Sequence, residues 1–399
     1  MTTMFTADTT FESAWGADSA GRATGGALRL LDHGTVEGRA AWEAVWRRAG
    51  QGEVFAHPDY CADRALPGER ALCAAMEFPD GALIIYPFLV RAITHDAAGA
   101  PVAEGLWDIY TPLVYGGPLG HDASGAQVEE FWCAMRAWAR HHSVVSEIIR
   151  FTPIARHRLP YPGTLRRQAP HVVIDLEGGE EGILARMRKS ARRLYRRALD
   201  AGVTVRIENS EAGIEDFLAI HDETMTRAGA YERFRLRPED LRALHRAVPE
   251  HLFYVFACQD GRPVAVEVVL RRGDSSHAYL GGTLTAALRT GATTVVSIAA
   301  AVEAQRRGSR EHVLGGGVTN TIDDSLLEFK RSLAREGDRD YFTGEQVFLE
   351  DEYERLCAPV PSQGSSFFPL YRARAAVTRH LPGQEPGRPD APARGTDQR

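Results

Sequence analysis

The sequence has few cysteines for its length, and none of them is arranged for metal binding. Its 399 residues contain five, at positions Cys61, Cys73, Cys133, Cys258 and Cys357, without a C-x-x-C pair. An odd and scattered set disfavours both a structural zinc site and a disulfide framework, and it is typical of a reducing compartment. We therefore expect no metal site and a cytoplasmic location.

Long apolar segments are also absent. The longest are ALIIYPFLV from Ala82 and VVSIAAAV from Val295, and both are far shorter than the roughly 18 residues that a membrane span requires. The first residues lack a positively charged region followed by an apolar run, so they do not resemble a signal peptide. We expect no membrane span.

The short motifs of several large enzyme classes are missing. We find no G-x-x-x-x-G-K-[ST], no G-x-G-x-x-G, no H-E-x-x-H and no G-x-S-x-G, which removes the usual indications of nucleotide binding, zinc proteolysis and serine hydrolysis. The formal net charge of −6 gives no global indication of nucleic-acid binding. Any contact with a polyanion would therefore need a local basic surface.

The sequence does contain helix-like and strand-like segments that alternate in two similar series. Its length exceeds what one hydrophobic core usually organises. In both series, strands are joined first by hairpins and later by helices, which predicts mixed β-sheets covered on both faces. The expected fold class is α/β with two lobes, and their interface is a natural place for a ligand cleft.

The predicted domain boundaries follow composition and the order of elements. We expect a disordered N-terminus over residues 1–25, a first lobe over 26–178 and a second lobe over 179–350, with the boundary near Gly178-Gly179. A C-terminal segment over 351–382 is expected to pack back on the lobes. The tail over 383–399, rich in proline, glycine and charge, is expected to be disordered.

One predicted helix, over residues 181–200, has cations on one side and apolar residues on the other, at about 100° per residue. The cations are Arg188, Lys189, Arg192, Arg193, Arg196 and Arg197. Arginine binds phosphate oxygens in bidentate fashion, and closely spaced cations gain free energy from counterion release. The helix is therefore a candidate phosphate-binding surface, and a solvated charged face is the alternative.

The segment EHVLGGGVTNTIDDSLLEFKRSL is a second candidate site. Gly315 to Gly317 follow an apolar strand and allow the backbone to approach a ligand closely, although a tight turn would also explain them. Lys330 follows Phe329 on the next predicted helix. A lysine beside a buried aromatic near a cleft can place its ammonium against a developing oxyanion, but such side chains more often extend into solvent.

The segment WDIYTPLVYGGPLG in the first lobe is a third candidate. Tyr110, Thr111, Tyr115 and Gly116 would place hydroxyl groups and open backbone at the end of a strand, as a polar ligand pocket requires. Aromatic residues beside Gly-Pro turns are also ordinary core and turn residues. Both interpretations of this segment remain open at the level of sequence.

Taken in order, these segments resemble the Fem family of aminoacyl-tRNA-dependent peptidyl transferases and its acyltransferase relatives. The resemblance extends over roughly residues 38–350 and is carried by VFAHPDY, IYTPLVYGGPL, SEIIRFTPI, MRKSARRLYRRALDAGVTVRI, SIAAAVEAQRRG and LGGGVTNTIDDSLLEFKRSL. It implies a fold of two tandem lobes of the GNAT (N-acetyltransferase) type.

The resemblance also implies roles for individual residues. In the family, an acceptor amine attacks the ester of an aminoacyl-tRNA, and a lysine directly after a phenylalanine is thought to stabilise the oxyanion; here these residues are Lys330 and Phe329. The basic helix would bind tRNA phosphates. The implied substrate-binding residues are Tyr110, Thr111, Tyr115, Gly116, Arg64, Gly315, Gly316 and Asn320. Arg64 stands only approximately where cell-wall members have a phosphate-binding lysine, and Tyr60 replaces a tryptophan.

The expected function is therefore transfer of an aminoacyl group from tRNA to the amine of a small molecule or cell-wall peptide, without a cofactor. One alternative is an acyl-CoA-dependent N-acyltransferase. Its pyrophosphate loop, [QR]-x-x-G-x-[GA], is degraded here, because alignment on Gly291 places Leu288 and Thr293 at the flanking motif positions. A second alternative is a non-catalytic RNA-binding protein on the same fold.

Overall fold

The computed structural model describes residues 25–49, 53–229, 237–358 and 367–373. The two ends that we predict to be disordered lie outside these residues, except for residue 25. The strands are β1 Leu28–Asp32, β2 Arg70–Glu77, β3 Leu83–Ala92, β4 Trp107–Tyr110, β5 Leu119–His121, β6 Val144–Arg150, β7 Thr164–Arg167, β8 His171–Asp175, β9 Thr204–Glu208, β10 Leu252–Gln259, β11 Arg262–Arg272, β12 Ser275–Thr283, β13 Glu311–Gly315, β14 Asp338–Arg339 and β15 Phe342–Val347. The helices are α1 Val36–Arg48, α2 Pro58–Arg64, α3 Gly125–His141, α4 Gly179–Arg186, α5 Lys189–Asp200, α6 Gly213–Arg227, α7 Pro238–Ala247, α8 Ala292–Arg306, α9 Ser325–Leu333 and α10 Glu350–Cys357.

Local sequence signals explain several of these elements. Strands β2 and β3 form a hairpin, with Gly81 at φ +91° in its turn, a conformation that favours glycine. Helix α3 begins at a capping box, in which Ser124 and Gln127 exchange side-chain and backbone hydrogen bonds. Local chemistry therefore fixes these boundaries before any tertiary contact is made.

The strands form two mixed sheets with the same order. The first sheet runs β1-β2-β3-β4-β6-β15-β7, with β5 also paired to β3, and the second runs β9-β10-β11-β12-β13-β8-β14. In each, the fourth and fifth strands of the order are parallel neighbours, β4 with β6 and β12 with β13. The predicted fold class is thus confirmed, since both sheets are mixed and flanked by helices.

The sixth strand of each order comes from the other half of the chain. Strand β8 precedes the predicted boundary at Gly178-Gly179 but lies between β13 and β14 in the second sheet. Strand β15, predicted as the last strand of the second lobe, lies between β6 and β7 in the first sheet. The sheets therefore do not follow the predicted boundary, because apolar alternation identifies a strand without identifying its partners.

The single helix predicted over residues 181–200 is wrong. The chain forms α4 and α5, and it is extended between them at Met187 (φ −67°, ψ 152°) and Arg188 (φ −61°, ψ 145°). Met187 is buried in the second lobe's core, and the Arg188 N–H donates to Ser332 O of α9 at 2.9 Å. Tertiary contacts at this point replace the hydrogen bonds of a continuous helix.

The described part of the C-terminal segment packs on the first lobe. The Tyr371 hydroxyl lies 2.7 Å from Ser146 Oγ and donates to Asp108 Oδ2 at 3.1 Å. Arg372 Nε donates to the same carboxylate oxygen at 2.9 Å. Residues 359–366 and 374–382 of this segment are outside the described ranges. Across those ranges, no helix is both long and apolar enough to cross a membrane.

The first lobe buries an ionisable carboxyl group in its core. Glu147 on β6 accepts hydrogen bonds from the Tyr86 and Tyr161 hydroxyls, each at 2.9 Å. Burial raises the pKa of Glu147 from 4.5 to about 7, although both tyrosine hydrogen bonds act in the opposite direction. Between these two values the folded protein retains a proton that the unfolded chain releases. The free energy of unfolding therefore decreases as the pH rises through this window.

We expect Glu147→Gln to remove this pH dependence, because glutamine stays neutral and can hydrogen-bond both tyrosines. Relative to wild type, the variant should gain up to about 3 kcal/mol of unfolding free energy between pH 5 and pH 8. Chemical denaturation at the two pH values measures the gain. The exposed Glu354→Gln variant is the matched control. An equal pH dependence in wild type and Glu147→Gln would contradict the assignment.

Candidate active site

The two lobes meet where the parallel strands of the second sheet separate. Strands β12 and β13 pair only from Ser275–Glu311 to His277–Val313. Tyr115 of the first lobe lies at this point: its ring is 5.7 Å from the His277 ring on β12, and its hydroxyl is 2.6 Å from His171 Nδ1 on β8. Because β8 and β12 flank β13, Tyr115 lies at the end of β13.

Lys330 reaches the same point from α9. Its Nζ donates to the Gly316 carbonyl at 2.6 Å. A Cβ built on Gly315, which has φ +82°, would be 3.6 Å from Lys330 Nζ and 3.5 Å from the Tyr115 hydroxyl. Burial lowers the pKa of Lys330 from 10.5 to about 8, and the Glu267 and Asp324 carboxylates oppose this decrease. The ammonium and the phenol therefore both lie close to a bare stretch of backbone at Gly315.

Asp324 holds the glycine loop and helix α9 together. One carboxylate oxygen accepts from the Leu326 and Leu327 amides, which caps the helix. The other accepts from the Val318 and Thr319 amides of the loop at 2.9 Å. Burial acts to raise the pKa of Asp324, but these donors hold the pKa at about 2. The position of Lys330 relative to Gly316 is thereby fixed by a residue that remains ionised.

His171 forms the third side of the site. Its ring stacks on Tyr341 with centroids 3.9 Å apart. Burial, with a smaller contribution from the Lys330 charge, lowers the pKa of His171 to about 3, so the imidazole is neutral near pH 7. A Cβ on Gly316 would lie 2.7 Å from its Cδ2 and Nε2 atoms. Glycine is therefore required at this position for the imidazole to approach the loop.

Two buried carboxylates that the sequence does not reveal support this arrangement. Glu53 accepts from His277 Nε2 at 2.7 Å, from His157 Nδ1 at 3.0 Å and from Thr152 Oγ1 at 3.0 Å, and so connects the lobes. Burial acts to raise its pKa, but the two imidazoles keep it well below its usual range. No local motif marks Glu53, since its partners come from distant parts of the chain.

The second carboxylate, Glu267, lies on β11 within electrostatic reach of Lys330. Its oxygens are bonded to Ser297 Oγ at 2.9 Å and to His312 Nε2 at 3.1 Å. His312 Nδ1 is in turn 2.9 Å from Ser276 Oγ. The residue opposite Glu267 on β12 is Gly281, which leaves space for this side chain to reach across the strand.

The structure brings Tyr115, Gly315, Gly316 and Lys330 together and places the other predicted site residues nearby or elsewhere. Phe329 packs against the second lobe's core beside Lys330. Thr111 Oγ1 accepts from the Arg150 amide at 3.0 Å, and the Gly116 amide donates to Arg150 O at 2.8 Å. These two residues therefore position the loop that carries Tyr115. The Tyr110 hydroxyl instead donates to Glu69 at 2.5 Å.

Arg64 and Asn320 already have protein partners. Arg64 forms an ion pair with Asp63 and donates to the Tyr279 hydroxyl at 3.2 Å. Asn320 accepts from the Ala169 amide at 2.7 Å and donates to Gln168 Oε1 at 2.6 Å. Asn320 thus anchors the glycine loop to the segment before β8.

The basic face of α5 lies next to the helix that carries Lys330, since α5 packs against both α8 and α9. Arg188 forms an ion pair with Glu328 at 3.0 Å, and Arg192 donates to Leu184 O at 3.4 Å. The other four cations form no ion pair within the described residues; they are Lys189, Arg193, Arg196 and Arg197. All four are exposed.

A groove of about 610 Å³ opens beside His171 and Gly316. We call it the interlobe groove. Its lining residues come from β6, β7 and β15 of the first sheet, from the segment 168–171, from the glycine loop 316–320, from Tyr341 and from Phe367-Phe368. No group of acidic, histidine or cysteine side chains in the described parts of the chain is arranged to hold a metal ion.

Comparison with known proteins agrees with this architecture. The family profile described as "Acetyltransferase (GNAT) domain" matches residues 185–355, so this part of the chain is similar to a GNAT-type acetyltransferase domain. No curated protein matches the sequence. The residues that the family profile matches include the glycine loop, α9 and Lys330.

Solved structures are similar over most of the chain. The crystal structure of FemX is 11% identical, with a TM-score of 0.62, and the similarity covers 79% of this chain and 98% of that one. L-PGS from Bacillus licheniformis (13% identity, TM-score 0.48, 85% and 97% coverage) and a tandem GNAT protein from the clavulanic acid biosynthesis pathway (11%, 0.43, 81% and 99%) are more distant. At such identity the likeness to FemX concerns the fold alone.

The close approach of Gly316 to His171 gives a stability prediction. We expect Gly316→Ala to decrease the unfolding free energy by about 1–3 kcal/mol, because the three atoms nearest to its Cβ would all belong to the His171 ring. Gly125→Ala, whose Cβ would meet nothing within 4 Å, is the control and should be neutral or stabilising. The denaturation measurement is then repeated in a His171→Ala background, where Gly316→Ala should change the unfolding free energy only slightly. The same cost in both backgrounds would rule out this contact as the cause.

Proposed function

We propose that the protein transfers an aminoacyl group from tRNA to the amine of a small molecule or cell-wall peptide, and so forms an amide bond. The observation that carries this proposal is the buried Lys330 ammonium, which faces a bare glycine backbone between the lobes of a GNAT-type fold. The proposal requires no cofactor, because the aminoacyl ester is itself activated for attack by an amine.

The chemistry follows from the position of the ammonium. The acceptor nitrogen forms a bond to the ester carbonyl carbon, and the carbonyl oxygen becomes an oxyanion. The C–O bond then breaks, and the proton lost by the amine passes to the leaving ribose oxygen. Lysine has three N–H donors, of which one is bonded to Gly316 O, so donors remain to stabilise the oxyanion in a water-poor site.

Two observations support tRNA as the donor. The exposed cations of α5 lie in the helical layer that contains α9, where they can bind the phosphates of an acceptor stem. The start of α8, where acyl-CoA enzymes hold pyrophosphate, has an exposed Leu288, and Thr293 Oγ1 is bonded to Thr283 Oγ1 at 2.9 Å. This loop lacks the residue pattern that cradles a pyrophosphate.

The GNAT family match favours a second candidate, an acyl-CoA-dependent N-acyltransferase. The two are distinguished by incubating the protein and candidate amines with charged tRNA, with and without RNase, or with acetyl-CoA. RNase-sensitive transfer from charged tRNA supports the proposal. Transfer from acetyl-CoA alone that is insensitive to RNase would overturn it.

We expect Lys330→Ala to reduce kcat by about 10²- to 10³-fold, the usual cost of removing one oxyanion donor. Because a pKa of about 8 implies loss of the ammonium above that pH, wild-type kcat should fall as the pH rises through 8. Any activity that Lys330→Arg retains should not show this fall. The exposed Arg262→Ala, which lies outside α5 and outside the site around Lys330, is the control. Unchanged product formation by Lys330→Ala would contradict the catalytic role of Lys330, whereas RNA binding without transfer from either donor would leave the non-catalytic RNA-binding alternative.

We expect the triple change Arg193→Gln, Arg196→Gln and Arg197→Gln to weaken tRNA binding. The slope of log K against log salt concentration should become shallower by roughly 0.9 for each lost phosphate contact. The matched control changes three exposed arginines elsewhere in the second half of the chain, Arg246, Arg262 and Arg310, to glutamine. Filter binding over a range of salt concentrations measures both slopes. Equal slopes for the two triple variants would exclude α5 as the tRNA-binding surface.

A further inference from the structure

The interlobe groove leads from solvent to the residues around Lys330. His171 and Gly316 belong both to its lining and to the contacts of the site. Tyr341, also in the lining, stacks on His171. A molecule bound in the groove would therefore contact the same backbone that Lys330 contacts.

The charged residues of the groove are mostly paired with one another. Arg166 binds Glu345 through two hydrogen bonds, of 2.7 and 2.9 Å, and Glu345 is the only carboxylate among the described lining residues. Arg167 is paired with Asp340. These pairs leave little net charge for a ligand.

Arg150 differs from both neighbouring arginines. It is half-buried on β6 and forms no ion pair with any described residue, yet its charge acts on the hydroxyl of Tyr341. A partly desolvated guanidinium without a carboxylate partner is costly unless an anion binds to it. The groove thus presents one uncompensated positive charge near the reactive centre.

The rest of the lining suits a small organic molecule. Phe367, Phe368 and Tyr341 provide apolar surface, and the glycine loop provides backbone groups. A volume of about 610 Å³ is within the range of small-ligand sites and far too small for a tRNA. The groove therefore matches the acceptor amine, which is the smaller of the two substrates.

We propose that the interlobe groove binds the acceptor amine, and that Arg150 binds an anionic group, a carboxylate or a phosphate, carried by that acceptor. This inference rests on the proposed acyl transfer. Arg150 fixes the orientation of the acceptor by its anionic end, and the amine end extends past His171 toward Gly316 and Lys330. Arginine is suited to this role because its planar fork binds either anion in bidentate fashion.

The test measures binding without any acyl donor, by isothermal titration calorimetry. The probes are three pairs of amines: L-alanine with L-alaninamide, L-phenylalanine with L-phenylalaninamide, and phosphoethanolamine with ethanolamine. We expect at least one member that carries an anionic group to bind about tenfold or more tightly than its partner without that group, as for hydrogen bonds to charged groups. The pairs also distinguish a carboxylate from a phosphate.

Arg150→Gln should remove this preference, and the exposed Arg262→Gln should keep it. Because Arg150 forms no ion pair with a described residue, Arg150→Gln should unfold at nearly the wild-type temperature, which checks that it folds. The inference is overturned if no probe with a carboxylate or phosphate binds more tightly than its partner without that group, or if Arg150→Gln retains the preference. Acyl transfer that proceeds equally well with acceptors that carry an anionic group and with acceptors that lack one would refute only the groove assignment. Anion binding through Arg150 without acyl transfer from either donor would refute only the proposed function.

Discussion

The free-energy cost of burying the Lys330 ammonium constrains the whole region between the lobes. Among the described residues it forms no ion pair, and its one hydrogen bond goes to a backbone carbonyl. An ammonium in such a place is tolerated only if nearby dipoles and more distant carboxylates offset its lost hydration. The carbonyl of Gly316 and the charges of Glu267 and Asp324 provide this compensation. The glycine loop, the cap of α9 and the network on β11 are therefore parts of one electrostatic arrangement.

The lobes are joined by contacts that differ in kind from those within each lobe. The Glu53 carboxylate and its two imidazole partners are buried, whereas Arg272 stacks on Trp46 at 3.3 Å and donates to its carbonyl at 2.7 Å. Such polar contacts require defined geometry and not only close packing. They fix the position of Tyr115 relative to His171, so that first-lobe residues complete a site whose lysine belongs to the second lobe.

Sequence alone predicts well what local chemistry determines. The segment that contains both the glycine loop and Lys330 could be singled out as a candidate site because its residues lie close together in the chain. Glu53 and His171 could not be found, because their partners come from distant segments and no spacing rule links them. Arg64 and Tyr110 have side chains that could bind a substrate, but in the structure these side chains bind Asp63 and Glu69. The interruption of the helix at Met187 could not be predicted, because amphipathic periodicity continues through it. A contact with α9 determines the backbone conformation there.

The exchange of β8 and β15 has a consequence for the order in which the protein can form during synthesis. The first sheet needs residues 342–347 to fill the position between β6 and β7. Strand β8 is made before any of its partners in the second sheet. The second sheet cannot close before residues 338–339 have left the ribosome, nor the first sheet before residues 342–347, and afterwards neither lobe can be cut away with its sheet intact. The two lobes are therefore a single unit of folding and of degradation, although each has the strand order of a separate domain.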